Sequence, residues 1–119
     1  MPLIHVHLDR QVFDKSHEDI GNAIHDAQIE ALGIPADDRF QIFQAHDAGE
    51  LKFDAGYNGV ERRNLLVIRV TAVHMYPAAT KQAFFKAVVD KLEPLGIRPQ
   101  DVLISLTENG FEDWYAGKI

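Results

Sequence analysis

A short stretch occurs twice in this chain, and its two copies constrain the fold more than any other feature of the sequence. Leu32-Gly33-Ile34-Pro35-Ala36-Asp37-Asp38 returns as Leu95-Gly96-Ile97-Arg98-Pro99-Gln100-Asp101, offset by 63 positions without a gap. The same offset carries a first apolar strand onto a third and a first helix onto a second. A chain assembled twice from strand, helix and strand forms parallel pairs, because a right-handed helical crossover returns each second strand beside its first. Two such units side by side give an α/β (α+β) fold of four strands in one sheet, with both helices on one face. The other face is then left uncovered in a single chain.

The elements follow from periodicity. Residues 3–8 alternate as a strand through His5, Val6, His7 and Leu8. From about Asp14 to Leu32, the residues Ile20, Ala23, Ile24, Ala27 and Ala31 recur at helical spacing. Asp14 or Ser16 is positioned to cap this helix, Gly33 to end it and Pro35 to prevent its resumption. Arg39 to Phe43 makes a second strand. Residues 47–63 hold three glycines, and Asn58-Gly59 suits a tight turn, so a short hairpin or an ordered loop fits there. Asn64 to Val73 is apolar almost throughout, which predicts burial on both faces. Pro77 opens a second helix running to about Glu93, with Phe84, Phe85, Val88, Val89 and Leu92 as its buried stripe. Val102 to Leu106 is the last strand, and Asn109-Gly110 turns into a tail with Phe111, Trp114 and Tyr115.

The length suits one domain over residues 1–119, with pseudo-repeats at about 1–63 and 64–119. A net charge of −6 leaves no basic footprint for nucleic acid. The absence of cysteine excludes disulfides, thiolate nucleophiles and cysteine-based metal centres. No apolar run is long enough to cross a bilayer, and the first residues lack the pattern of a signal peptide, so no membrane partner and a cytoplasmic location are expected. Strands as apolar as 65–73 cannot leave the open sheet face to water, which points to an oligomer.

Proline follows the initiator methionine. A small second residue generally lets that methionine be removed, and the chain then begins with the secondary amine of Pro2. No internal proline offers such a group. Together with the doubled β-α-β plan, this resembles the tautomerase superfamily, and within it the branch of malonate semialdehyde decarboxylase and its relatives. The resemblance rests on Met1-Pro2-Leu3, on Gly33 through Ile42, on Lys81-Gln82-Ala83-Phe84-Phe85-Lys86-Ala87, on Gly96 through Val102, and on Glu108-Asn109-Gly110-Phe111-Glu112-Asp113-Trp114. It implies the family fold, assembled as a homotrimer around a central core. It also implies that Pro2 acts as general acid or base on a small-molecule keto or enol acid without a cofactor. The catalytic aspartate of the decarboxylase falls on Asp38, and Arg39 beside it is a family feature.

The chain also departs from that pattern. Decarboxylase-like members carry two arginines just after the third strand, where this chain has Ala72-Val73-His74-Met75-Tyr76-Pro77. Val12 stands where a further arginine is expected. Losing these removes the bidentate recognition of carboxylate that arginine supplies. Keto–enol tautomerisation therefore comes first, and decarboxylation or hydration second.

The chemistry asks for a base whose pKa lies near the working pH, and a terminal amine, at about 8, starts close to it. An apolar wall lowers it further; Phe40, Phe43, Trp114 and Tyr115 are candidates for that wall or for core and interface positions. Asp38 is either catalytic or a turn residue like its counterpart Asp101. Arg39 either binds substrate or pairs with surface acids. His74 and Tyr76, in the zone of the missing arginines, are candidate donors to a substrate carbonyl. His5 and His7 share one strand face, but no signature spacing supplies further ligands, so no metal is assigned. The alternative to an enzyme is a non-catalytic small-molecule-binding or regulatory trimer of the same fold.

Overall fold

A computed structural model describes residues 2–119. Met1, expected from the sequence to be removed, lies outside them. The elements are β1 (Leu3–Asp9), α1 (Arg10–Leu32), β2 (Gln41–His46), β3 (Leu66–Val73), α2 (Ala78–Leu92) and β4 (Val102–Asn109), with short 3-10 turns between and after them. The sheet order is β2-β1-β3-β4. β1 runs parallel to β2, and β3 runs parallel to β4, while β1 and β3 meet antiparallel in the middle.

Strand alternation assigns the two faces. Ile4, Val6 and Leu8 of β1 and Leu66, Ile68, Val70 and Ala72 of β3 are buried beneath the helices. Ile20, Ile24 and Ala27 of α1 and Phe84, Val88 and Leu92 of α2 close that core. The burial of β3 is one-sided rather than the two-sided burial its apolarity suggested. Its odd-numbered positions Val67, Arg69 and Thr71 are part-exposed or exposed, because they face the open side of the sheet. That open side also carries His5 and His7 from β1, and Ile42, Gln44 and His46 from β2.

Two boundaries differ from the sequence expectation. α1 begins a turn early, and its cap is neither Asp14 nor Ser16: Asp9 ends β1 and also accepts a hydrogen bond from the Gln11 amide at 3.0 Å. One residue closing a strand and capping a helix leaves no linker for composition to mark. In residues 47–63 no strand forms, so the ordered loop is the outcome rather than the hairpin. Asn58 takes a left-handed conformation inside a 3-10 turn, and Arg62 ties the loop to the Tyr57 carbonyl at 2.7 Å. At the ends of the helices Gly33 and Gly96 both adopt positive φ, as a glycine after a helix does.

Candidate active site

The strand directions gather one end of every strand around Pro2. β1 and β2 start at this end, and β3 and β4 finish there, so the residues before β2 and after β3 and β4 crowd against the residue before β1. Pro2 is itself buried. Asp38, Arg39, His74, Tyr76 and Trp114 all fall at this end of the sheet. The site is built by topology, from residues more than a hundred positions apart.

On the helix side the groups are polar. The loop from Gly33 to Phe40 delivers Asp38, and it is fastened twice: the Asp38 amide donates to Pro35 at 3.1 Å, and buried His25 hydrogen-bonds the Ala36 carbonyl at 2.8 Å. Tyr76, just beyond β3, is half-buried. Burial and then the negative field of Asp38 push its phenol above the ordinary value, so it remains a proton donor at neutral pH. His74 stands further out. Its Nδ1 hydrogen-bonds Glu108 at 2.6 Å, and Lys81 of α2 holds the other oxygen of the same carboxylate. Hydrogen bonding from Lys81, joined by His74, holds the Glu108 carboxyl below its ordinary range against the opposing effect of desolvation.

On the open side the groups are apolar. Leu3, Phe40, Trp114, Tyr115 and Ala116 line a cavity of about 240 Å³. The Trp114 indole donates to the Asn109 side chain at 2.7 Å, and the Asn109 carbonyl accepts from the His74 amide at 2.7 Å. One residue thus pins both walls. Phe43 is not part of the apolar wall. It shares the helix face with Gln41 and packs against Phe13 and His17. Arg39 also turns toward α1, where it donates to Asn22 at 3.0 Å and to Gln41 above Gly21.

Glu108 and Lys81 were not singled out from the sequence. The signal was present: the inward-facing positions of β4 read Val102, Ile104, Leu106 and then Glu108, a charge where an apolar residue was due. Asp101, the repeat counterpart of Asp38, is buried at the opposite end of the sheet, where it accepts from the Arg63 amide at 2.8 Å. A separate histidine group lies on the open face. His7 and His46 nitrogens are 2.8 Å apart, a hydrogen bond closer than two ligands of one metal sit, and His5 bonds Gln44 at 3.2 Å. Among the described residues no cluster has the form of a metal site.

A family model described as "Tautomerase enzyme" matches residues 38–117. The chain belongs to the tautomerase superfamily. Within it the chain falls in the malonate semialdehyde decarboxylase-like branch. It is 30% identical to the probable tautomerase YusQ of Bacillus subtilis (strain 168), over 98% of this chain and 94% of that protein. The probable tautomerase YrdN of the same organism is equally similar, at 30% identity over 98% and 92% of the two chains. Among solved structures, malonate semialdehyde decarboxylase inhibited by 3-bromopropiolate superposes with a TM-score of 0.88 at 38% identity, covering 97% of this chain and 88% of that one. A fused 4-OT symmetric trimer shares the fold at 21% identity and a TM-score of 0.80, covering 97% of this chain and 91% of that one. No helix among the described residues is long and apolar enough to cross a membrane.

Proposed function

We propose that the chain is a keto–enol tautomerase that uses the amino-terminal amine of Pro2, freed by removal of Met1, as its general acid and base. The observation that supports this reading is the burial of Pro2 at the end of the sheet to which Asp38 and Tyr76 also belong, next in the chain to Leu3 of the Leu3–Phe40–Trp114–Tyr115 cavity. Tautomerisation moves one proton from the enol oxygen to the carbon next to the carbonyl carbon, while the double bond shifts from C=C to C=O, and it adds or removes no other group. An amine that accepts the proton at one atom and returns it at the other does this unaided, provided its pKa lies near neutrality. The apolar side of the site lowers that pKa by disfavouring the charged form. Asp38 orients the amine. Tyr76, kept protonated, donates to the substrate oxygen on which charge develops.

The substrate is a small keto or enol acid, bound with help from His74, Tyr76 and Trp114. Arg39 joins them only if its guanidinium leaves Asn22 and Gln41. No arginine lies between Ala72 and Pro77 to hold and polarise a carboxylate bidentately, which ranks decarboxylation and hydration behind tautomerisation. The working form is a cytoplasmic homotrimer of single-domain chains with the open sheet faces inward, an assembly supported by the trimeric form of fused 4-OT. Conversion of an arylpyruvate enol to its keto form, followed by ultraviolet absorbance, tests the reading. Wild type accelerates it, and Pro2→Ala loses at least about a hundredfold, the scale of a general acid–base contribution. Full activity in Pro2→Ala refutes it.

A further inference from the structure

We infer that His74, seated on the Glu108–Lys81 ion pair, is the hydrogen-bond donor that takes the substrate's carboxylate, and that the site therefore selects monocarboxylates with an apolar or aromatic tail. This rests on the reading of the Pro2 end of the sheet as the active site.

The sheet register supplies the distance. Leu3 pairs with Thr71, so Pro2 stands opposite Ala72, and Ala72 pairs with Glu108. Pro2 and Glu108 are thus in one row, two strands apart, or about 10 Å between backbones. A three-carbon 2-oxo acid head with a hydrogen bond at each end fills a span of that order.

The charges select His74 within the triad. Lys81 and Glu108 are largely covered, with side-chain exposures of 24% and 21%, whereas the His74 side chain is 79% exposed. The lysine is committed to the carboxylate, and it cancels that negative charge. A carboxylate that approaches His74 therefore meets no uncompensated negative charge from the glutamate that anchors the ring. Glu108 also fixes the ring. With Nδ1 donating to Glu108, Nε2 is the remaining donor, and it has no partner among the described residues. The hydrogen bond from the His74 amide to Asn109 holds the backbone in place.

One imidazole N–H offers one hydrogen bond where a guanidinium offers two in parallel. The carboxylate is therefore held at a single point, and the rest of the grip falls to the cavity lined by Leu3, Phe40, Trp114, Tyr115 and Ala116. His74 touches substrate, whereas Glu108 and Lys81 are positioning residues that act through it.

Binding without turnover provides the test. Calorimetric titration compares 3-phenylpropanoate with 3-phenylpropanamide on wild type, His74→Gln and Glu108→Gln, each checked for folding by its thermal melt. Wild type is expected to prefer the carboxylate by about tenfold, the worth of one charge-assisted hydrogen bond. His74→Gln abolishes the preference while still binding the amide as wild type does, and Glu108→Gln reduces it. In turnover of an arylpyruvate enol, His74→Gln raises KM by about tenfold with kcat within about threefold. A wild type that binds neither ligand, or both equally, overturns the inference. So does His74→Gln with its preference intact. Pro2→Ala separates the two proposals: it leaves the carboxylate preference in place, so its activity reports on the amine alone.

Discussion

Gly33 and Gly96 occupy equivalent places in the two halves of the chain, and replacing each with alanine is a matched experiment. Their φ angles are +70° and +85°, and a methyl group at either meets no atom within 4 Å. The cost of the substitution is therefore conformational alone. A left-handed backbone costs an L-residue about 1–2 kcal/mol, and the stiffer unfolded chain returns about 0.4–1 kcal/mol. The net loss is about 1 kcal/mol for each variant, or roughly 4 °C in melting temperature for a chain this long. The functional consequences differ. The loop after Gly33 runs to the start of β2 and delivers Asp38 to the Pro2 end, whereas the loop after Gly96 runs to the start of β4 at the opposite end. Thermal melts and the enol-to-keto assay, run well below both melting temperatures, read the two effects separately. Both variants lose similar stability, and only Gly33→Ala loses kcat. If either variant is as stable as wild type, the backbone argument fails. Equal losses of activity would sink the assignment of the two ends.

Acid destabilises the fold in two steps. Burial, followed by the fields of His5, His46 and Arg69, holds His7 below its ordinary 6.5, and Lys81 and His74 hold Glu108 below its ordinary 4.5. In both cases the unfolded chain takes up the proton first, so stability present above the ordinary value is lost as pH falls through the folded one. Urea midpoints fall from about pH 6.5 downward and again below about pH 4.5, and His7→Gln flattens the upper step; a midpoint constant from pH 7 to pH 4 contradicts this. Trp114→Phe keeps the aromatic ring but deletes the 2.7 Å bond to Asn109. It is expected to weaken binding of 3-phenylpropanamide by about 1 kcal/mol, read by calorimetry, and unchanged affinity removes the tail from the cavity wall.

The plan of the sheet was legible because periodicity and repetition both depend on local spacing. Gly33 and Gly96 mark helix ends wherever they occur, and the alternation of Ile4, Val6 and Leu8 is visible in six residues. What stayed hidden depended on partners distant in sequence. Arg39 reads as a free cation until α1 presents Gly21 and Asn22 beside it. Phe43 reads as wall or core until its register with Val6 fixes its face. Glu108 meets His74 across 34 positions and Lys81 across 27, so the alternation of β4 marks Glu108 as a misplaced charge but not the partners it finds. The apolarity of β3 misled in the other direction: hydrophobic side chains at Val67 and Val73 do not make both faces buried when Arg69 and Thr71 share the open one.

The central claim concerns the nitrogen of Pro2, and acylating that nitrogen tests it most directly. A chain whose Pro2 is amino-terminal is compared with the same chain retaining Met1, each verified by intact mass, and kcat/KM is measured for an arylpyruvate enol. An internal proline nitrogen is a non-basic amide, so the account predicts a loss of at least about a hundredfold in the form that retains Met1. Equal kcat/KM in the two forms contradicts it.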